Sequence, residues 1–142
     1  MADISTSISA NMLQLNEEKT GLIIVNPKHQ VRISEELRLQ IGHNTVSLAS
    51  SVKNLGVYFD TSLTMERQVT ATFKACYYKI RNIGHIRRYI TLDTCKILAH
   101  TLITSRLDYG NALLYGIPST LMTRLQKVQN SSAWLVTRTH KR

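Results

Sequence analysis

Two hydrophobic rhythms run along this 142-residue chain, and one gives way to the other near residue 60. Ahead of that point, Ile4, Ile8, Met12 and Leu15 recur at helical spacing, so residues 3–15 read as a short amphipathic helix with Asp3 near its start. A polar connector, 16–20, leads into the apolar run Gly21-Leu22-Ile23-Ile24-Val25, expected as a buried strand stopped by Asn26-Pro27. Residues 28–36 are polar and read as a loop. Arg38-Leu39-Gln40-Ile41 and Val46-Ser47-Leu48 then alternate around Gly42-His43-Asn44 as a hairpin does. A further strand is expected through Leu55-Gly56-Val57-Tyr58-Phe59, with Gly56 marking a bulge or a close backbone approach.

From Ser62 onward the period is helical. Val69, Phe73, Cys76, Tyr77, Ile80 and Ile83 form one apolar stripe. Arg67, Lys74 and Arg81 recur every seven residues on another face, with Arg88 in phase beyond Gly84. Thr91-Leu92-Asp93 starts a second helix in which Cys95, Ile97, Leu98, Ala99, Leu102, Ile103 and Leu107 are apolar nearly all round, as in a helix buried within a bundle. The segment 106–111 ends or kinks it. Pro118 and Ser119 open a third, with Leu121, Leu125, Val128, Ser132 and Leu135 inward and Arg124, Lys127 and Ser131 outward. The expected fold class is α+β: an N-terminal helix and a small antiparallel sheet over residues 1–60, then a basic three-helix bundle over residues 61–142.

Charge follows the same division. Residues 1–60 carry five basic and six acidic side chains, whereas residues 61–142 carry thirteen basic ones against Glu66, Asp93 and Asp108. The formal net charge of +9 therefore comes wholly from the helical part. Such a surface attracts a polyanion, either nucleic acid or an anionic membrane. The membrane is the poorer match, because Phe73 and Trp134 are the only Trp or Phe residues after Asp60, and interfacial helices insert faces rich in such rings. No stretch approaches the roughly 18 apolar residues of a membrane span, and the N-terminus lacks a basic region followed by an apolar run, so an intracellular protein is expected, nuclear or cytoplasmic.

Few residues point to chemistry. Cys76 and Cys95 occupy separate helices without Cys-x-x-Cys spacing and read as small core residues. His85, His100 and His140 have neither a paired carboxylate nor a close cysteine, and no phosphate-binding glycine loop or nucleophile elbow occurs.

Four stretches, Leu13–Thr20, Val52–Asp60, Ser105–Pro118 and Leu125–Ala133, occur in the order found in one polymerase family. Through them the chain resembles, over almost its whole length, the C-terminal third of the reverse transcriptase of LINE-type (non-long-terminal-repeat) retrotransposons, closest to the jockey and chicken-repeat-like groups. The resemblance implies that residues 1–60 end the palm and that residues 61–142 form the thumb. It places Lys19 of Asn16-Glu17-Glu18-Lys19-Thr20 near a nucleotide's phosphates, although the family usually continues Lys-Thr-Glu and Gly21 follows here. It assigns Leu55 and Gly56 to the primer grip, the hairpin under the growing strand's end.

A thumb holds any sequence while the duplex slides, so it should meet phosphates with Lys and Arg and leave base edges alone. Arg67, Lys74, Arg81, Arg88, Arg124 and Lys127 are the candidates for that contact. The resemblance does not extend to catalysis, which in this family needs clustered aspartates and Mg²⁺. No Asp-Asp pair occurs in the chain. No cofactor is expected for it alone, and the implied partners are an RNA–DNA hybrid or duplex backbone and the remainder of a polymerase. The alternatives are a relic without function of its own and a helical protein-interaction module.

Overall fold

The change of rhythm near residue 60 corresponds to a change of structure, with strands before it and long helices after it. The computed structural model describes residues 6–8, 10–12, 16, 20–25, 38–41 and 44–138. Among these residues the fold is α+β, with two two-stranded antiparallel sheets and the long helices in the C-terminal part. By contacts the chain forms two compact units, Met1–Lys53 with Asp60–Ser62, and Asn54–Phe59 with Leu63–Arg142.

In the first unit, β1 (Arg38–Ile41) pairs antiparallel with β2 (Asn44–Ser47), with Leu39 opposite Val46 and Gln40 opposite Thr45. The apolar run before it is not a full strand: among its residues only Leu22 makes a bridge, parallel to Leu48, and its carbonyl accepts from the Ala49 N–H at 2.9 Å. Gly21 has a packing reason, since a Cβ there would stand 2.9 Å from Val52 Cγ1. Of the expected helix over 3–15, residues 6–8 and 10 are helical and 11–12 form a turn, and the remainder lies outside the described residues.

The second sheet differs from expectation. β3 (Ser51–Asn54) and β4 (Val57–Asp60) flank a turn whose two central residues are Leu55 and Gly56. Both have positive φ, 47° and 84°. That is the handedness of a two-residue type I′ hairpin turn, which matches strand twist. Leu55 and Gly56 are thus the tip of a hairpin rather than residues within a strand. A left-handed conformation costs a residue with a Cβ about 1–2 kcal/mol, so Leu55 holds it because its surroundings do.

In the second unit, α1 (Glu66–Ile86) starts four residues later than the rhythm suggests, after Leu63 and Met65 turn through positive φ. Glu66 in its first turn suits the positive end of the helix dipole. Thr91 caps α2 (Leu92–Ala99), its hydroxyl accepting from the Thr94 N–H at 3.2 Å. The chain continues through a π turn, His100–Thr104, into α3 (Ser105–Asp108). The Thr101 hydroxyl donates to the Ile97 carbonyl at 2.6 Å, and that of Ser105 to the Thr101 carbonyl, the back-bonding that bends helices. Gly110, at φ 72°, turns the chain into the 3-10 helix Asn111–Leu114, and Pro118 stands before α4 (Ser119–Thr137).

The core lies where α1, α2 with its π turn, and α4 meet. Cys76, Ile83, Cys95, Ala99, Ile103 and Val128 are buried there, with Phe73, Tyr77, Ile80, Leu107 and Leu135 packed around them. Full burial of each larger side chain contributes about 1.5–3 kcal/mol. The second helix is not apolar on a buried surface all round: Ile97 is 65% exposed, because α1 and α4 cover only one side of α2.

Candidate nucleic-acid interface

Helical geometry puts Arg67, Lys74 and Arg81 on one face of α1. Seven residues turn through 700°, about 20° short of two turns, so the three side chains stay within a sector of about 40°. All three are exposed. They span about 21 Å along the axis at 1.5 Å per residue. Lys74 and Arg81 form no hydrogen bond or ion pair with any described residue. The Arg67 guanidinium lies 4.7 Å from the centre of the Tyr58 ring, a cation–π contact that joins the start of the ridge to β4.

The other expected phosphate contacts fall elsewhere. Arg88 lies beyond the end of α1, in the turn 87–89, with its guanidinium 4.6 Å from the Tyr89 ring centre. Lys127 is exposed on α4. Arg124 does not face outward as its spacing suggests. It is half-buried against α1, donating to the Thr70 hydroxyl at 3.1 Å and lying 5.2 Å from the Phe73 ring centre. Ser131 is drawn inward too, 3.0 Å from the Tyr77 hydroxyl. The physical reason is that α4 packs closely along α1, so polar positions at the edge of its apolar stripe reach the neighbouring helix.

Other cations act on the protein itself. Arg87 donates to the carbonyls of Leu135 at 3.1 Å, Val136 at 3.0 Å and Ile90 at 3.3 Å. The first two are among the last carbonyls of α4, unsatisfied within that helix and at the negative end of its dipole. Arg138 returns a bond from Nη2 to the Arg87 carbonyl at 3.0 Å. Lys96 pairs with Asp93 at 3.1 Å.

The hairpin tip is anchored within the helical unit. The Tyr109 hydroxyl donates to the Leu55 carbonyl, and the Tyr109 ring lies 3.7 Å from where a Cβ on Gly56 would stand. The Tyr58 N–H donates to Gln68 Oε1 on α1 at 3.1 Å. Val57, the first residue of β4, is buried against Gly110, where a Cβ would come within 3.5 Å of it. Leu55 itself remains 83% exposed, held outward on a backbone conformation that leucine rarely adopts. Lys19 lies outside the described residues.

No group of three or more His, Cys, Asp and Glu close enough to hold a metal ion occurs among the described residues. Asp60 ends β4, Asp93 is paired on α2, and Asp108 ends α3, so these carboxylates do not make a metal cluster. Burial pushes the Cys76 thiol up from its usual range, and the Arg106 charge pulls it part of the way back. A reactive thiol requires the opposite shift together with access, and Cys76 has no exposed surface.

A groove of about 620 Å³ opens between α3, the 3-10 helix and α4, lined by Leu107, Leu114, Tyr115, Met122 and Leu125 with Asp108, Asn111, Gln126 and Gln129 at polar positions. Tyr115 on its wall is 97% exposed.

Two positions escaped sequence reasoning. Tyr78 lies in the same sector as the ridge, and the signal for it was the spacing 67, 71, 74, 78, 81, 85. Tyr109 carried only a weak signal, an aromatic residue before a glycine. No helix among the described residues is long and apolar enough to cross a membrane. No protein-family model matches this chain, and neither a curated protein nor a solved structure matches it.

Proposed function

We propose that the helical unit grips the sugar–phosphate backbone of an RNA–DNA hybrid or duplex without reading its sequence, as the thumb of the LINE-type reverse transcriptases that the chain resembles would do. On this reading the chain performs no nucleotidyl transfer by itself, and the metal-binding aspartates belong to other parts of such a polymerase. The observation that carries the proposal is the exposed ridge of Arg67, Lys74 and Arg81 on a unit with few acids. Backbone gripping needs positive side chains at intervals along a rigid element, and a helix of 21 residues supplies that element. The anchored Leu55–Gly56 tip is compatible with the grip that the resemblance assigns to it.

Binding of the full chain to a short RNA–DNA hybrid, followed by fluorescence anisotropy across a salt series, tests the proposal. About five phosphate contacts would give a slope of log K against log salt of about −4 to −5. A folded chain that ignores the hybrid at low salt would overturn it. The apolar groove beside Tyr115 favours a second reading, a protein-interaction module. That module would bind through the groove and show little preference for nucleic acid.

A further inference from the structure

We infer that the basic face of α1 also receives an unpaired base, stacked on Tyr78 between Lys74 and Arg81, so that its substrate class includes single-stranded nucleic acid or a duplex with an unpaired overhang. The inference rests on the backbone-gripping reading above and deepens it.

Tyr78 is 62% exposed, although it stands on a helix whose other aromatic residues are used in packing. Phe73 and Tyr77 are half-buried against the core cluster with ring centres 4.6 Å apart, and the Tyr77 hydroxyl meets Ser131. Tyr78 has no such role. Its position follows Lys74 by four residues and precedes Arg81 by three, which puts all three on one face. Along the axis it lies about 6 Å from Lys74 and about 4.5 Å from Arg81. A nucleotide whose base rested on the ring would therefore have its phosphate within reach of either long side chain. His85 continues the same sector, exposed, one further turn along.

Contact with phosphates uses at most the tyrosine hydroxyl and leaves the ring face without a partner, because a duplex keeps the faces of its bases covered by neighbouring pairs. An unpaired base offers its face, and stacking on an aromatic side chain tolerates any sequence because every base has one. Cations near the ring strengthen that platform, and Lys79 Nζ lies 5.7 Å from the centre of the Tyr78 ring. The acids of the helical unit do not oppose an anion here: Glu66 is at the far end of α1, Asp93 is paired with Lys96, and Asp108 lies at the apolar groove.

The test uses the full chain and three probes: a blunt RNA–DNA hybrid, the same hybrid with a single-stranded overhang, and single-stranded RNA. Tyr78→Ala should weaken binding to the overhang and to the single strand about tenfold, the effect of one lost base–aromatic stack, and leave the blunt hybrid and the salt slopes unchanged. Tyr78→Phe, which keeps the ring, should bind as the wild type does. Quenching of 2-aminopurine placed in the overhang gives an independent sign of stacking, and the Ala variant should abolish it. Equal binding of all three probes by the wild type and Tyr78→Ala, without quenching, would overturn the inference while a steep salt slope on the blunt hybrid kept the backbone-gripping reading intact. Failure of the wild type to bind any of the probes would overturn both.

Discussion

Arginine and lysine do opposite work on two sides of the helical unit. On the outer face of α1, Lys74 and Arg81 stand exposed and make no polar contact with a described residue. At the junctions of α1 with the chain behind it, Arg87 gives three bonds to main-chain carbonyls and Arg124 spans from α4 to Thr70 and Phe73. The difference teaches that a high count of basic residues overstates the surface left for a polyanion. A guanidinium that satisfies helix-end carbonyls is part of the fold, and its charge faces the end of a dipole that already attracts it.

Replacing Arg67, Lys74 and Arg81 together by Gln is the strongest way to sharpen this comparison. Removal of three phosphate contacts should flatten the salt slope by about 2 to 3 units, which lowers affinity at about 0.1 M salt by two to three orders of magnitude relative to wild type. Thermal stability should fall by no more than about 1 kcal/mol, the cost of losing the Arg67 contact with Tyr58, because Lys74 and Arg81 make no polar contact with a described residue. An unchanged slope would remove α1 from the interface. Arg87→Gln should do the reverse, lowering stability by about 2 kcal/mol in denaturant unfolding while leaving the salt slope alone, since it orphans carbonyls that charged hydrogen bonds now satisfy.

Smaller changes probe the boundary between the two groups. Arg124→Gln removes one hydrogen bond and a cation–π contact, so a loss of about 1 kcal/mol in unfolding free energy is expected, with a change in slope of less than one unit. A full unit of slope lost would move Arg124 to the side of the ridge. Tyr109→Phe deletes only the hydroxyl that meets the Leu55 carbonyl, and should cost about 0.5–1.5 kcal/mol. Faster hydrogen exchange at the tip, 54–57, should accompany that loss while the core of α1 keeps its protection.

The least effect concerns Cys76. Its thiol is raised by burial, so the folded state favours the protonated form, and this contribution is complete below the unfolded thiol range of about pH 8.5 and lost as pH rises through and above it. The midpoint of thermal unfolding should fall between about pH 8 and pH 10, and fall less in Cys76→Ala. An equal fall in both would assign the alkaline instability to other groups.

Much of the fold was legible because helices write their buried side into local spacing. The stripe from Val69 to Ile83 is buried or half-buried as its period requires, and Cys76 and Cys95 are buried without exposed surface. Thr91 and Pro118 precede helices as capping and proline rules expect, and Gly110 supplies the positive φ that ends α3. The strands were less legible. Leu22 to Val25 is apolar enough for a strand, yet only Leu22 finds a bridging partner, because a strand needs a second segment in register and local pattern does not supply one. The Leu55–Gly56 tip falls inside the strand expected from the sequence because Val57, Tyr58 and Phe59 continue the apolar run beyond it, whereas the turn depends on a leucine held at positive φ.

By itself the sequence determined where the helices run, which stripe of each is apolar, and that the excess of positive over negative charge lies in the part after residue 60. These follow from periods of a few residues and from a count of ionisable groups. Only the tertiary structure decided which cations remain on the surface, which ones bind carbonyls or rings, and that Tyr109 secures the tip formed by Leu55 and Gly56. Those outcomes depend on which helix lies against which face, and contacts between residues about 50 positions apart leave no period in the chain.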